Sequence, residues 1–496
     1  MVQRSARFRL AAMLAAAVAT SARAAGPGGL EYHVLAEQHV RVPNPAPQEI
    51  SDAPHFRVSP DGRRVAYVER TAQGERVVVD AVPGPEFERV DMETFTFSAD
   101  SKRHAYVADG AAGFVAVVDG VAGERHWQIG ASGFSPTGAR HFYVARSGPR
   151  AERLVIDGKA GPEFGAIDVP VFSGSAAHYA YLALHVQGPA PAEGGRPPAP
   201  GAVLVRDGEV QALPGVPSGH MGAALQLTAD GAHYAYLEAR PMASDRRVVV
   251  DGAPQQWHRE VKALHLGEDG RRLTYIASNG LKWRVVNDGE AGTEYAEIDA
   301  ATFTLSPDGK RSAMIASDDG RSFVVVDGKA GLQVNQVGAL VFSADGRHLA
   351  YSSNDKTGSM LVRDGVALYR GPCCIGQPLF GRDGRFAVVA PTRDGKMQVL
   401  IDGKPAGRAF AHVRDLTVSP DGRHFAWIAA ERHTAYVITP ETGPLPVPGV
   451  RTGVADDDND RPRLRFLSED RVAAFFTRAN RHGGADLLRV ELGLRH

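Results

Sequence analysis

Along most of the chain, short apolar runs alternate with polar turn residues. The stretch Phe56 to Val68, FRVSPDGRRVAYV, serves as template: an apolar strand, a Ser-Pro-Asp-Gly turn, then a strand carrying Ala-Tyr-Val. It returns at Phe95 (FTFSADSKRHAYV), Gly133, Val171, Leu225, Leu264, Phe303 (FTLSPDGKRSAMI), Leu340, Leu379 and Leu416 (LTVSPDGRHFAWI), and more weakly at Arg465. That makes eleven copies. Measured from Ser59 onward, most spacings are 37 to 39 residues, with two longer ones of 55 and 49. Self-similarity at a fixed period decides the architecture ahead of any local motif.

Within each copy a second pattern follows, for example RVVVDAVPGPEF at Arg76, RLVIDGKAGPEF at Arg153, RVVVDGAPQQW at Arg247 and FVVVDGKAG at Phe323. Asp-Gly between β-branched runs predicts a tight hairpin, because Gly accepts a positive φ and the Asp side chain closes the turn locally. Asp119, Asp157, Asp251, Asp327 and Asp402 are therefore read as turn formers. Each unit is expected to hold four antiparallel strands. Eight positions after the template serine stands an aromatic residue in most units: Tyr67, Tyr106, Tyr143, Tyr181, Tyr236, Tyr275, Tyr351 and Trp427. A ring recurring at one strand position marks a packing layer between neighbouring sheets.

Four-stranded units of about 40 residues repeated around an axis are β-propeller blades, so an all-β propeller of about eleven blades is expected. The Ser-Pro-Asp-Gly turn followed by a strand with Ala-Tyr or Ala-Phe resembles the TolB-type, WD40-like propeller repeats over residues 56 to about 490. That resemblance implies repeated-blade binding surfaces. Eleven blades exceed the usual size of one ring, so two rings are expected, blades one to five in 56–263 and six to eleven in 264–496, with one large ring as the alternative. The last unit lacks a fourth strand. Glu31 to Val42, within the N-terminal segment 25–55, is placed to supply it and so to fasten the two chain ends together.

Composition adds a leader and removes several functions. Arg4, Arg7 and Arg9 precede an apolar run from Leu10 to Thr20 and an Ala22-Arg23-Ala24 site, the layout of a secretory signal peptide occupying 1–24. Eleven apolar residues are too few to cross a bilayer, so a periplasmic or extracellular protein without membrane insertion is expected. Fifty-six basic against 57 acidic residues give a net charge of −1, which argues against nucleic acid as partner. No P-loop, Gly-x-Ser-x-Gly elbow or His-Glu-x-x-His sequence occurs, no two of the 18 histidines lie closer than six positions, and no cofactor is expected. His178, His233, His348 and His424 recur five residues after the template serine, as parts of the repeat.

The only cysteines, Cys373 and Cys374, are adjacent, and a strained vicinal disulfide and two plain thiols are both open. The connections at the end of the blades away from the Ser-Pro-Asp-Gly turns vary in length and charge, and variable loops on a rigid scaffold are where recognition is built. They include the insertion Val186 to Ala202, the stretch Arg146 to Arg153, and Glu431 to His433. They also carry Asp91, Glu93, Asp168, Glu297, Asp299, Asp415, Asp456, Asp458 and Asp460, candidates for an acidic channel mouth. Asp456 to Asp460 lacks the Gly and Glu of an EF-hand loop, so no calcium site is assigned. A non-enzymatic scaffold binding a protein or cell-envelope component is the expected function. The alternative is an enzyme with a channel-mouth site, a metal-dependent lyase or hydrolase acting on saccharides or peptides.

Overall fold

The structure is a computed structural model. It describes Ala24–Ala25, Glu31–Gln38 and residues 56–494, apart from 111, 150, 186–200, 214–215, 218–224, 241–243, 356–357, 373, 433, 448–462 and 480–484. Among the described residues there is no α-helix, only one 3₁₀ turn at Arg382–Gly384. The strands form eleven antiparallel sheets. In chain order blades 1 to 10 span 56–87, 89–126, 128–164, 166–212, 216–254, 260–291, 297–334, 336–371, 379–405 and 412–447, each with its strands hydrogen-bonded in sequence order. In blades 4, 5 and 8 the first strand is split into two short pieces that share the second strand.

Blade 11 is built differently. Its strands Arg463–Ser468, Arg471–Ala479 and Ala485–Gly493 are completed by Glu31–Gln38, which pairs antiparallel with the third strand from Glu31 opposite Glu491 to Gln38 opposite Ala485. Ala24–Ala25 adds a short fifth strand outside it. The first and last segments of the chain thus share one sheet.

The strand signals act as the pattern requires. Val, Ile and Ala of the second and third strands are buried between sheets, and so are the repeated rings Tyr106, Tyr181, Tyr236, Tyr351 and Trp427. Gly84, Gly123 and Gly161, each on the preceding blade, make room for Tyr106, Tyr143 and Tyr181. At Gly84 an added Cβ would lie 3.3 Å from the Tyr106 hydroxyl and 3.1 Å from the Val77 carbonyl, so the fourth strand of blade 1 lets the tyrosine of blade 2 close against its backbone.

The packing corrects the expectation of two rings. Apolar clusters join every neighbouring pair of blades from 1–2 through 10–11. No break falls at residue 263: Ala235 and Val248 of blade 5 share a core with Val261, Leu264 and Tyr275 of blade 6. Val65 of blade 1 packs with Ala473 and Phe475 of blade 11, which closes the succession. The eleven blades form one ring because each buried face finds its partner only in the adjacent blade, including across the ends of the chain. First strands of successive blades approach each other in most joints, so they form the inner wall.

Candidate functional site

Every blade has a turn end, carrying the Ser-Pro-Asp-Gly and Asp-Gly turns, and a mouth end, where its first strand begins. At the turn end the hairpins adopt left-handed backbone at both central residues, as at Asp119 (φ 51°) and Gly120 (φ 79°). Blade 1 makes the same turn with Asp80 and Ala81, at φ 50° and 64°. The aspartate does more than close its own turn. One carboxylate oxygen accepts the N–H that opens the second strand, at 2.7–3.1 Å in nine blades, for example Val65 to Asp80 and Ser312 to Asp327.

The other oxygen takes a cation or imidazole from the preceding residue: Arg64, Arg103, Arg140 and Arg311, or His178, His233 and His348, at 2.7–3.1 Å. His424 meets Glu441 instead, at 3.1 Å. The recurring histidines therefore do the work of arginines in the repeat. The guanidinium also reaches the next blade. Arg311 donates to the Gly346 and Arg347 carbonyls and lies 5.4 Å from the centre of the Phe342 ring. In the other turn, Ser306 Oγ donates to Asp308 at 2.6 Å, and this bond, followed by the Lys310 N–H, pulls the carboxyl down to about 2. The turn end is a self-neutralised belt that joins blades.

The mouth end differs. Asp91 and Glu93 lie within the first strand of blade 2 (Arg89–Phe97), and Glu297 and Asp299 within that of blade 7 (Glu297–Leu305), rather than in loops as the sequence suggested. Both strands bulge at the aspartate, and the bulge is held alike in both. Asp91 accepts the Glu93 N–H at 3.0 Å, while Thr94 Oγ1 donates to the Asp91 carbonyl at 2.7 Å and accepts the Val107 N–H at 2.8 Å. Asp299, Ala301, Thr302 and Ile315 repeat these bonds at 3.0, 2.7 and 2.9 Å. All four acids are exposed, and no described cation pairs with any of them. Two exposed bases of the first strands are already engaged, Arg89 with Asp109 at 3.4 Å and Lys262 with Glu260 at 3.6 Å.

Other residues singled out by the sequence fall elsewhere. Asp168 is buried, 5% exposed, so it does not face a channel mouth. Asp415 is half-buried in a left-handed bulge of the first strand of blade 10, at φ 50°. Asp456, Asp458, Asp460 and the insertion 186–200 lie outside the described residues, as do the leader 1–23 and Cys373. Cys374 is an exposed free thiol at φ 60°. Arg146 pairs with Glu152 at 2.7 Å, and Glu431 with Arg408 and Lys396 at 2.5 and 3.8 Å, so these stretches serve joints between strands and blades. Among the described residues no group of three His, Cys, Asp or Glu side chains is arranged to hold a metal ion.

Two features escaped the sequence reading. Glu75 opens the third strand of blade 1 and Glu152 stands second in that of blade 3, and they accept the N–H of Val90 and of Ile167 in the next blade, at 3.0 and 2.9 Å. The shared Glu-Arg before Val-Val and Leu-Val was the available signal. In blade 3, Ser132 stands where blades 2 and 7 have Phe95 and Phe303, and its hydroxyl meets Nε2 of buried His141 at 3.2 Å. Burial, then the Arg103 charge, push that imidazole down to about 4. It is a weak general base, and the pair reads as a satisfied polar contact.

No protein-family model matches the chain, and no curated protein matches it. Similar solved structures include that of a eukaryotic initiation factor, with 12% identity and a TM-score of 0.40, covering 77% of this chain and 94% of that one. The β-propeller domain of the Trilobed protease from Pyrococcus furiosus has 12% identity and a TM-score of 0.27, over 55% of this chain and 93% of that one. TolB from Acinetobacter baumannii has 14% identity and a TM-score of 0.24, over 60% and 75%. Overlaps of this size carry no argument about activity, and the propeller architecture rests on the eleven sheets themselves.

Proposed function

We propose that the protein is an exported, periplasmic or extracellular propeller of TolB-like repeats that acts as a non-enzymatic scaffold, binding a cationic region of a protein or cell-envelope component at the mouth end of the ring. One observation carries this reading: Asp91, Glu93, Glu297 and Asp299 are exposed and pair with no described cation, while Asp80, Asp119, Asp157, Asp207, Asp251, Asp327 and Asp364 at the turn end are each engaged by an arginine or histidine. Exposed carboxylates left without a counter-charge give a surface its field. Export rests on the leader pattern of 1–24, and no helix among the described residues is long and apolar enough to cross a membrane.

The test is capture from cell-envelope extract by the native protein and by a variant carrying Asp91→Asn, Glu93→Gln, Glu297→Gln and Asp299→Asn, across a salt series. A specific partner whose retention falls with salt and with neutralisation supports the reading. Stoichiometric bound metal in the purified protein, with no partner captured, replaces it with the channel-mouth enzyme.

A further inference from the structure

We propose that Asn279 is a self-modifying site, which converts through a cyclic imide to aspartate or isoaspartate and so adds one negative charge to the mouth end of blade 6. The chain holds seven asparagines, and Asn279 alone is followed by glycine. A backbone nitrogen reaches the preceding side chain only where its own residue leaves it open, and Gly280 has no Cβ to screen the approach. Residues 279–282 form the exposed tip between the second and third strands of the blade, Leu273–Ser278 and Trp283–Asn287. Water and hydroxide have access there: Asn279 and Gly280 are exposed, and Leu281 is 86% exposed.

The hydrogen bonds of this tip prepare the reaction. Asn279 Oδ1 accepts the Leu281 N–H at 3.0 Å and the Lys282 N–H at 2.9 Å, so the side chain follows the course of a backbone turn and folds Cγ back over the Gly280 peptide. Ring closure requires that approach. Gly280, at φ 98°, donates its N–H to Ser278 Oγ at 3.0 Å, which fixes the plane of the attacking nitrogen. Solvent hydroxide removes the Gly280 amide proton, and the nitrogen forms a bond to Asn279 Cγ. The negative charge that develops on Oδ1 falls on the two N–H groups already aimed at it. The Cγ–Nδ2 bond then breaks, and Nδ2 takes a proton from water and leaves as ammonia, which restores the hydroxide. A second water opens the imide at either carbonyl and leaves a carboxylate. The Asp-Gly steps of the turn end offer no such substrate: Asp327 presents an ionised carboxylate, a poor electrophile, held by the Ser312 N–H and by Arg311. The new charge at residue 279 arrives beside Lys282, which pairs with Asp318 of blade 7 at 3.7 Å, and beside the Arg259 stem, 3.5 Å from where a Cβ on Gly280 would stand. Conversion gives Lys282 a second acid to meet, in competition with its link to blade 7.

The test incubates the full-length mature protein at pH 7 and pH 8 and follows each asparagine by peptide mapping and mass spectrometry, with ammonia release measured alongside. A synthetic peptide of the sequence 274–287 serves as the reference without the fold. Asn279 is expected to convert at least tenfold faster than any other asparagine of the native protein, and at least as fast as in the peptide. The rate should rise about tenfold from pH 7 to pH 8, because hydroxide takes the Gly280 proton. Asn279→Gln, whose longer side chain must close a six-membered ring, should abolish the early ammonia release while leaving the melting temperature unchanged. Ser278→Ala should slow conversion in the native protein without changing the rate of the matching peptide. A native rate below that of the peptide shows that the hairpin restrains Asn279 and overturns the inference, as does an Asn279 still intact when other asparagines have converted.

Discussion

The two ends of the ring are built from the same residue types, aspartate above all, and use them in opposite ways. At the turn end Asp327 accepts a backbone N–H and a guanidinium, and that guanidinium crosses to the next blade. At the mouth end Asp299 accepts one local N–H and shows its remaining charge to water. A carboxylate satisfied on every side stabilises the fold and offers little to a partner, while one satisfied only enough to fix its position is available for recognition. Composition does not distinguish the two; bonding does.

The contrast is sharpest against a perturbation belonging to neither end. Deleting Glu31–Gln38 removes the whole fourth strand of blade 11 and the link between the chain ends, which should lower stability by roughly 5 kcal/mol. Native-state hydrogen exchange at Leu487 to Val490 should rise to match, and unchanged protection there would mean that closure lies elsewhere. Next in size, Asp327→Ala should cost about 2–4 kcal/mol in urea unfolding, because it strands the Ser312 N–H and Arg311 and leaves Ala in a left-handed turn. A cost below that of Asp299→Ala would erase the distinction between the two ends.

The turn end should also be the acid-sensitive one. His141 opens the second strand of blade 3 beside it, and burial holds its folded-state pKa near 4, below the ordinary imidazole value of about 6.5. Above pH 6.5 the histidine is neutral in both states and costs nothing. As pH falls from 6.5 toward 4 the unfolded chain takes up the proton first, so stability is progressively lost. His141→Leu should therefore lose about 2 kcal/mol less than the native protein between pH 7 and pH 5. An identical loss in both would place the acid sensitivity elsewhere. The smallest expected effect is that of the four mouth-end neutralisations on folding, within about 0.5 kcal/mol in total, with melting temperature as the measurement.

Much of this was legible because a repeat averages out local ambiguity. One FRVSPDGRRVAYV segment is an equivocal strand signal, whereas eleven in register define blades, and the absence of a fourth strand after Ala485–Gly493 pointed to the N-terminal segment. Ring number was not legible, since the sequence fixes which faces are apolar and leaves open which blade Val65 will meet. Among the acids, Asp168 looked like Asp91 until burial separated them. The bulge that sets Asp91 and Asp299 inside a strand depends on Thr94 and Thr302, whose side chains replace a ladder bond; a Thr three residues after an Asp is too common a pattern to announce this.

Closure into a single ring bears on how such a chain is assembled over generations. Every blade touches only its two neighbours, so inserting one more requires each joint to give up a share of its wedge angle. Going from ten blades to eleven changes each joint by about 3°, against about 9° for going from six to seven, and packed sheets vary in mutual angle by more than the smaller figure. A large ring thus absorbs the duplication of one 38-residue unit as a slight relaxation everywhere, where a small one would have to rebuild every joint. Copy number becomes a tunable trait, and the width of the central opening is what it tunes.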